Sequence, residues 1–277
     1  DAKYTWRKSF GSSQRTAPKM NLNLDGKVAL VTGSYRGTGA GIAERLGAEG
    51  AHVIVHGFTE DQTKAVFEEL TNKEISVTRL EVDLLGLDND EIESLLPPID
   101  ILVNNYGTPK GSSWESPQFW REEWEHNVLI AVKLCQVVIA GMSERGWGRI
   151  LFMGTIGIES PGTHSPGYYG AKAALAPIVK SLARELKQTG ITVNMLNPGM
   201  IATPEVKEML EKKAETKGIE ANWSEIESWA TTEFMPNLTR RLSTPQSIGD
   251  IAAFLVSDLA FQINGAIIPV DGGAKYA

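Results

Sequence analysis

The chain has 277 residues, 42% hydrophobic and 22% charged, so it can bury one substantial core and is typical of a globular protein. Its formal net charge of −7 argues against nucleic acid as a partner, because phosphate backbones are bound by basic surfaces. A single cysteine excludes an internal disulfide framework, and the four histidines lack metal-ligand spacing, so we expect no metal site.

The first nineteen residues form a basic segment, rich in serine and threonine, that lacks an apolar stripe. We interpret residues 1–19 as a disordered tail or cloning remnant, with the remnant of an organellar targeting peptide as the alternative. Residues 20–277 are expected to form a single domain. Since no apolar run reaches the ~18–20 residues of a membrane-spanning helix, we predict a cytoplasmic protein with no membrane partner.

From residue 27 onward, short apolar runs alternate with longer helical stretches. The short runs predict strands over 28–31, 52–55, 76–82, 99–103, 149–153, 192–196 and 266–270. The longer stretches predict helices over 37–49, 60–71, 120–142, 168–188 and 245–259. Most of the strand candidates are apolar throughout, which is typical of strands covered on both faces. The alternation therefore predicts a parallel sheet with helices on both sides.

The segment 200–241 interrupts this alternation with two amphipathic helical stretches, 204–217 and 223–234. An insertion after the carboxyl end of a strand can cover a ligand crevice, so we expect it to form a lid. Large apolar residues of the lid, and three tryptophans after the fourth strand, favour either an apolar substrate or packing of the lid onto the sheet. They are Met200, Met209, Trp223, Trp229, Phe234, Met235, Trp114, Trp120 and Trp124.

A glycine-rich loop, Thr32-Gly33-Ser34-Tyr35-Arg36-Gly37-Thr38-Gly39, follows the first strand and opens a helix. Glycines at this position permit a tight turn and let the backbone approach a pyrophosphate group. The first N–H groups of the helix and its dipole then stabilise the negative charge. Because the loop lies between a strand and a helix, it indicates a dinucleotide site.

The spacing Gly-x-x-x-Gly-x-Gly in this loop resembles that of the short-chain dehydrogenase/reductase family, and six further motifs follow in the family's order. They are Asp83-Leu84, Asn104-Asn105-Tyr106-Gly107, His126-Asn127-Val128, Tyr168-Tyr169-Gly170-Ala171-Lys172, Asn197-Pro198-Gly199 and Asp271-Gly272-Gly273. The chain is similar to 3-oxoacyl reductases within this family. The resemblance implies a doubly wound, Rossmann-type α/β fold. It also implies an NAD(P)(H)-dependent oxidoreductase that interconverts a carbonyl and a secondary alcohol.

The resemblance implies four catalytic residues, Asn127, Thr155, Tyr168 and Lys172. Tyr168 and Lys172 are four residues apart at the start of a helix, so their side chains share one face. We expect Lys172 to lower the pKa of Tyr168, the general acid or base, and the resemblance implies that Lys172 also binds the ribose. Thr155 replaces the family's serine and keeps a hydroxyl for the substrate oxygen, although its methyl group narrows the pocket. Asn127 is implied to hold a water of the proton relay.

Cofactor contacts are assigned to the glycine loop and to the ends of several strands. Besides Tyr168 and Lys172 they are Gly33, Tyr35, Arg36, Gly37, Thr38, Gly39, Gly57, Phe58, Asp83, Leu84, Asn105, Gly107, Pro198, Gly199, Ile201 and Thr203. NAD-selective proteins carry an acidic residue at the end of the second strand, where this chain has Gly57. The acidic residues that follow belong to a predicted capping box over 59–62. Since Arg36 can meet a 2′-phosphate, we favour NADP(H), with NAD(H) as the alternative.

The expected partner is a small carbonyl or alcohol substrate of apolar character, and the fold does not choose its identity. We predict a homotetramer or homodimer that pairs the helices over 120–142 and 168–188, as relatives do. The alternative function is a catalytically weak, nucleotide-sensing binding protein on the same fold. Thr155, Phe152 and Tyr106 depart from the family pattern and favour this alternative, whereas the intact tyrosine, lysine and asparagine set opposes it.

Overall fold

The computed structural model describes residues 21–107, 114–219 and 222–277. The predicted N-terminal segment, 1–19, therefore lies outside the described residues, and its interpretation stays a prediction. The sheet, the long helices and the lid all lie within the described ranges, apart from the two lid residues 220–221.

Seven strands of the described chain pair in parallel in the order β3-β2-β1-β4-β5-β6-β7. They are β1 Val28–Val31, β2 His52–Gly57, β3 Val77–Glu81, β4 Ile101–Asn104, β5 Gly148–Met153, β6 Ile191–Pro198 and β7 Ile267–Val270. The strand order reverses between β1 and β4. In open sheets of this kind, ligands bind at such a reversal, outside the carboxyl ends of the strands.

Helices cover both faces of the sheet. They are α1 Gly37–Ala48, α2 Glu60–Asn72, α3 Asn89–Leu95, α4 Pro117–Trp124, α5 Ile130–Glu144, α6 Pro166–Glu185, α7 Pro204–Thr216, α8 Trp223–Trp229 and α9 Pro245–Leu255. One core cluster joins α1 and α9 to the sheet and includes Val31, whereas a second joins α5 and α6 and includes Leu30. Neighbouring residues of a strand point to opposite faces, so β1 contributes to both cores. The predicted doubly wound, Rossmann-type fold is confirmed.

The predicted helix over 120–142 is longer than expected and contains a π turn. The stretch Pro117–Glu144 is continuously helical, and its residues Glu125–Leu129 form the π turn between α4 and α5. By length and composition alone it could cross a membrane, with 28 residues and a mean hydropathy of 1.5 over an 18-residue window. Leu134 and Met142 pack into the core beneath the sheet, however. We therefore interpret this stretch as the core helix of a globular domain.

The segment 200–241, for which the role of a lid stays a prediction, contains α7 and α8, and the π turn Ala230–Phe234 continues α8. It has an apolar core of its own, in which Leu210, Ile226 and Trp229 are buried. The two helices predicted in this segment are thus confirmed.

Candidate active site

The glycine-rich loop connects β1 to α1 and lines a groove of about 460 Å³, here called the phosphate groove. Gly33 and Gly37 adopt φ values of 61° and 55°, a region that favours glycine. Gly39 allows close packing, because a Cβ atom there would lie 2.6 Å from Nδ2 of Asn105. The first N–H groups of α1 have no partner within the helix. The loop therefore fits a bound pyrophosphate group.

A smaller cavity of about 170 Å³ adjoins this groove and is here called the catalytic cavity. It is lined by Met153, Gly154, Thr155, Tyr168, Lys172, Pro198, Gly199 and Ile201, together with Thr38, Asn105 and Gly107, which also line the phosphate groove. Because three residues are common to both spaces, the two are continuous. The structure thus brings together residues that the sequence predicts from five separate segments.

The carboxyl ends of β2 and β3 lie side by side, with the backbone N–H of Val82 donating to the oxygen of Gly57. The predicted cofactor residues at these ends do not line the phosphate groove; they are Gly57, Phe58, Asp83 and Leu84. The ring of Phe58 lies 5.4 Å from the ring of Tyr106, measured between centroids. The side chain of Leu84 is buried in the core, so only its backbone can contact a ligand. Tyr106 lines the groove but was not among the predicted cofactor residues. Its signal in the sequence is the departure of Tyr106 from the family pattern within the motif Asn104-Asn105-Tyr106-Gly107.

The capping box predicted over 59–62 does not form. Thr59 occupies the N-cap position of α2, but its side chain makes no capping hydrogen bond. Instead, the side-chain oxygen of Gln62 accepts a hydrogen bond of 2.7 Å from the backbone N–H of Phe58, one residue before the position that a capping box uses. This prediction was wrong because the glutamine side chain reaches past the cap.

Arg36 pairs with the lid. Its guanidinium donates a 2.8 Å hydrogen bond to Glu205 at the start of α7, and both side chains are about half exposed. Such exposed pairs contribute little to stability, so an anionic ligand can compete for Arg36. Sequence reasoning missed Glu205, which lies 169 residues from Arg36.

Lys172 is buried at the base of the catalytic cavity, where Nζ donates a 2.9 Å hydrogen bond to the backbone oxygen of Met153. Burial lowers the pKa of Lys172 to about 8, although the negative charge of Glu123 opposes this shift. A group with this pKa changes its charge close to neutral pH and can therefore exchange protons there.

The prediction that Lys172 lowers the pKa of Tyr168 is wrong for this structure. Desolvation raises the pKa of Tyr168 above its ordinary value, and the charges of Tyr169 and Glu123 raise it further. Nζ of Lys172 lies 5.9 Å from the centroid of the Tyr168 ring and is engaged by Met153. Tyr168 is therefore protonated at neutral pH, which suits a proton donor.

Asn127 lies in the π turn, a distortion that is frequent at functional sites. Its Nδ2 donates to the backbone oxygen and to Oε2 of Glu123, both at 2.9 Å. Its Oδ1 is buried and has no hydrogen-bond partner within the described residues. A Cβ atom on Gly107 would overlap this oxygen and lie 2.9 Å from Nζ of Lys172. A buried acceptor of this kind beside the lysine suits a bound water.

Thr155 follows β5 and caps a short 3-10 turn, Ile156–Ile158. Its Oγ1 accepts a 3.1 Å hydrogen bond from the backbone N–H of Gly157. Because the hydroxyl acts there as an acceptor, its own proton can be donated into the catalytic cavity.

A further cavity of about 350 Å³ lies beside Gly199 and is lined by Met200, Phe234 and Met235 of the lid. In contrast, Met209, Trp223 and Trp229 pack within the lid itself. Some of the predicted apolar residues therefore line this cavity, and others pack inside the segment 200–241. Trp114 contacts the ring of Trp120 at 5.3 Å between centroids and is 76% exposed.

A parallel sheet whose order reversal carries a glycine-lined phosphate groove, with a tyrosine and a buried lysine one helical turn apart beside it, defines the doubly wound, nucleotide-binding class of oxidoreductases. The family model for short chain dehydrogenases matches residues 27–214. The chain belongs to the short-chain dehydrogenase/reductase family.

Two relatives cover nearly the whole chain. D-beta-hydroxybutyrate dehydrogenase of Cupriavidus necator is 33% identical over 263 residues, which are 90% of this chain and 98% of the relative. A 3-oxoacyl-(acyl-carrier-protein) reductase of Aquifex aeolicus is 32% identical over 262 residues, 92% of this chain and 99% of the relative. The similarity to 3-oxoacyl reductases is thereby confirmed.

Two solved structures have the same fold. L-sorbose reductase from Gluconobacter frateurii, complexed with NADPH and L-sorbose, has a TM-score of 0.83 at 30% identity and covers 93% of this chain and 100% of that chain. A 7 alpha-hydroxysteroid dehydrogenase complexed with NADH and 7-oxo glycochenodeoxycholic acid has a TM-score of 0.77 at 30% identity, covering 91% and 96%. Relatives of this fold therefore include structures with either nicotinamide cofactor.

Proposed function

We propose that this protein interconverts a carbonyl compound and a secondary alcohol by NAD(P)(H)-dependent hydride transfer, with Tyr168 as the acid or base. The continuity of the phosphate groove with the catalytic cavity carries the proposal, because it brings a dinucleotide bound on the glycine loop to Tyr168, Lys172 and Thr155. Membership in a family of dehydrogenases and reductases supports it.

When bound, the reduced nicotinamide supplies the hydride that reaches the carbonyl carbon. Thr155 donates a hydrogen bond from its hydroxyl group to the substrate oxygen and holds that oxygen in place, without transferring its proton. Tyr168, which is protonated at neutral pH, gives its proton to the same oxygen as negative charge develops there. Lys172 binds the ribose and returns a proton towards Tyr168, and Oδ1 of Asn127 holds the water that connects the lysine to solvent.

The pH dependence of reduction follows from Lys172. Its folded pKa is about 8, so the ammonium is present below that pH and is lost as the pH rises through it. We expect kcat for carbonyl reduction to fall above pH ~8, because the relay then lacks its proton. The kcat for alcohol oxidation should instead keep increasing as the pH rises into the alkaline range. Because the pKa of Tyr168 is raised, its phenolate base forms only at high pH. Initial rates in both directions over this range measure the effect. Parallel profiles for the two directions would contradict it.

NADP(H) is the cofactor that we propose, with NAD(H) as the alternative. Arg36 lies on the rim of the phosphate groove, Gly57 offers no carboxylate to repel a 2′-phosphate, and the Thr59 hydroxyl is not used as a cap. These features favour added negative charge at the end of β2. The relative solved with NADPH supports this preference, whereas the one solved with NADH keeps the alternative open.

Arg36→Ala is expected to lower kcat/KM for NADPH by about ten- to a hundredfold and to change that for NADH little. A charge-assisted contact contributes roughly 1.5–3 kcal/mol, and only NADPH carries the 2′-phosphate. Steady-state kinetics with each cofactor measure the change. Glu205→Gln is the matched control, because it removes the competing partner and should leave or improve NADPH use. Equal losses with both cofactors would mean that Arg36 only supports the loop.

The substrate that we propose is a small, largely apolar ketone or its alcohol, because Met200, Phe234 and Met235 line the space beside the catalytic cavity. A panel of ketones and alcohols, assayed with NADPH and NADH, tests the proposed function. Oxidation of the reduced cofactor that depends on a ketone is the expected result. Tight cofactor binding without turnover of any ketone would favour the nucleotide-sensing alternative.

The proposed assembly is a homotetramer or homodimer that pairs α5 and α6. These helices flank a groove of about 430 Å³ lined by Val132, Ile139, Ile178 and Leu182, an apolar surface that a second copy can cover. The cytoplasmic location stays a prediction.

A further inference from the structure

The helix α4 carries a buried carboxylate beside the catalytic cavity. Glu123 is 1% exposed, and glutamate is almost never buried to this extent unless it is paired. It precedes Asn127 by four residues, so the two side chains lie on the same side of the helix. The helix α4 packs against α6, which carries Tyr168 and Lys172. Glu123 lies outside every motif on which the family resemblance rests.

The contacts of Glu123 determine how the amide of Asn127 is oriented. Nδ2 of Asn127 donates to two oxygens of the same residue, the backbone carbonyl and Oε2 of Glu123, both at 2.9 Å. A carbonyl oxygen and an ionised carboxylate can only accept, so the amide nitrogen must face them. The amide oxygen is thereby turned away from α4, toward Gly107 and Lys172. If the amide were reversed, Oδ1 of Asn127 would face the backbone oxygen and Oε2 of Glu123, and neither of these can donate a hydrogen bond to it.

The negative charge of Glu123 acts on Lys172. Nζ of Lys172 is buried against a neutral carbonyl, and a buried cation without an opposite charge is strongly destabilised. On α6, the negative charge of Glu123 raises the pKa of Lys172 against the effect of burial and also raises the pKa of Tyr168. On the same helical stretch, His126 is turned toward the backbone oxygen of Glu122 and the ring of Tyr106.

We propose that Glu123 is a positioning residue of the proton relay. It fixes the Asn127 amide with Oδ1 toward Lys172, and its negative charge keeps the buried lysine in the ammonium form. The inference rests on the proposed function, since it assigns Glu123 a part in the proton supply to Tyr168.

Glu123→Gln tests the charge, because glutamine is nearly isosteric and still offers an oxygen to Nδ2 of Asn127. Without the carboxylate, the pKa of Lys172 falls, so the loss of reduction rate at alkaline pH should begin ~1 pH unit lower or more. At the acidic end of the profile, kcat should stay within a few-fold of wild type.

Glu123→Asp keeps the charge but withdraws the oxygen from Asn127, so kcat should fall while the alkaline limb stays in place. Glu125→Gln removes an exposed carboxylate two residues further along and should change neither kcat nor the profile. All three variants are compared as purified full-length protein, with circular dichroism and cofactor titration as checks of folding.

An unshifted alkaline limb in Glu123→Gln would overturn the proposal, as would equal shifts in the Gln and Asp variants. If both Glu123 variants failed to fold while Glu125→Gln folded, Glu123 would be required for the stability of the fold, and the proposal would be overturned. Tyr168→Phe is assayed in the same series so that the two hypotheses can fail separately. An active Tyr168→Phe variant contradicts the proposed function, whereas an inactive one with an unshifted Glu123→Gln profile contradicts the role of Glu123 alone.

Discussion

Tyr168→Phe is expected to lower kcat for carbonyl reduction by ~10²–10⁴-fold, the usual contribution of a general acid. The substitution removes the proton donor and keeps the aromatic ring, whose centroid lies 5.4 Å from that of Tyr169. Because the loop and the strand ends supply most of the contacts to a dinucleotide, its dissociation constant should stay within a few-fold of wild type. Initial rates and fluorescence titration of the reduced cofactor measure the two quantities.

Tyr169→Phe is the matched control for this prediction. It removes a hydroxyl from the next residue of α6, which is rotated by about 100° around the helix and packs beside Gly157. We expect its kcat to be close to that of wild type. If Tyr168→Phe kept most of its activity, or if Tyr169→Phe lost it, Tyr168 would not be the proton donor.

Thr155→Val is expected to lower kcat by about a hundredfold, the scale of one lost donor to a developing oxyanion. Valine has nearly the same shape as threonine but cannot donate to the substrate oxygen. It also loses the hydrogen bond that Oγ1 accepts from Gly157, so a stability loss of about 1 kcal/mol should accompany the change. Rates are therefore compared at a temperature where thermal unfolding shows both proteins to be folded.

Thr155→Ser distinguishes the effect of the hydroxyl group on the rate from that of the methyl group. Serine keeps the donor and the cap and widens the cavity, so its rate should equal or exceed that of wild type. A valine variant as fast as wild type would show that position 155 only packs against its neighbours.

The regular elements could be predicted from hydrophobic periodicity, and β1 agrees with its predicted range. The helix α3, Asn89–Leu95, was missed because it has seven residues, several of them acidic, and buries only Ile92. The π turn at Glu125–Leu129 was missed because the helical pattern continues through it.

The candidate site was predicted as a set of residues, but its electrostatics were not. The direction of the pKa shift of Tyr168 depends on how much water the fold removes, which a spacing of four residues does not encode. Glu123 belongs to an acidic run with Glu122 and Glu125, and such a run usually marks a solvated helix face. Its burial results from the packing of α4 against α6, a contact between distant segments.

Transfer of a deuterium label tests the central claim most directly. The protein is incubated with a ketone from the panel and with reduced cofactor that carries deuterium at both positions of C4 of the dihydronicotinamide ring, so that either face delivers the label. The alcohol is analysed by mass spectrometry. Hydride transfer at the Tyr168 site predicts one deuterium on the carbinol carbon of the product, and almost no labelled product from Tyr168→Phe in the same time. Alcohol without deuterium, or equal labelled product from the variant, would contradict the account.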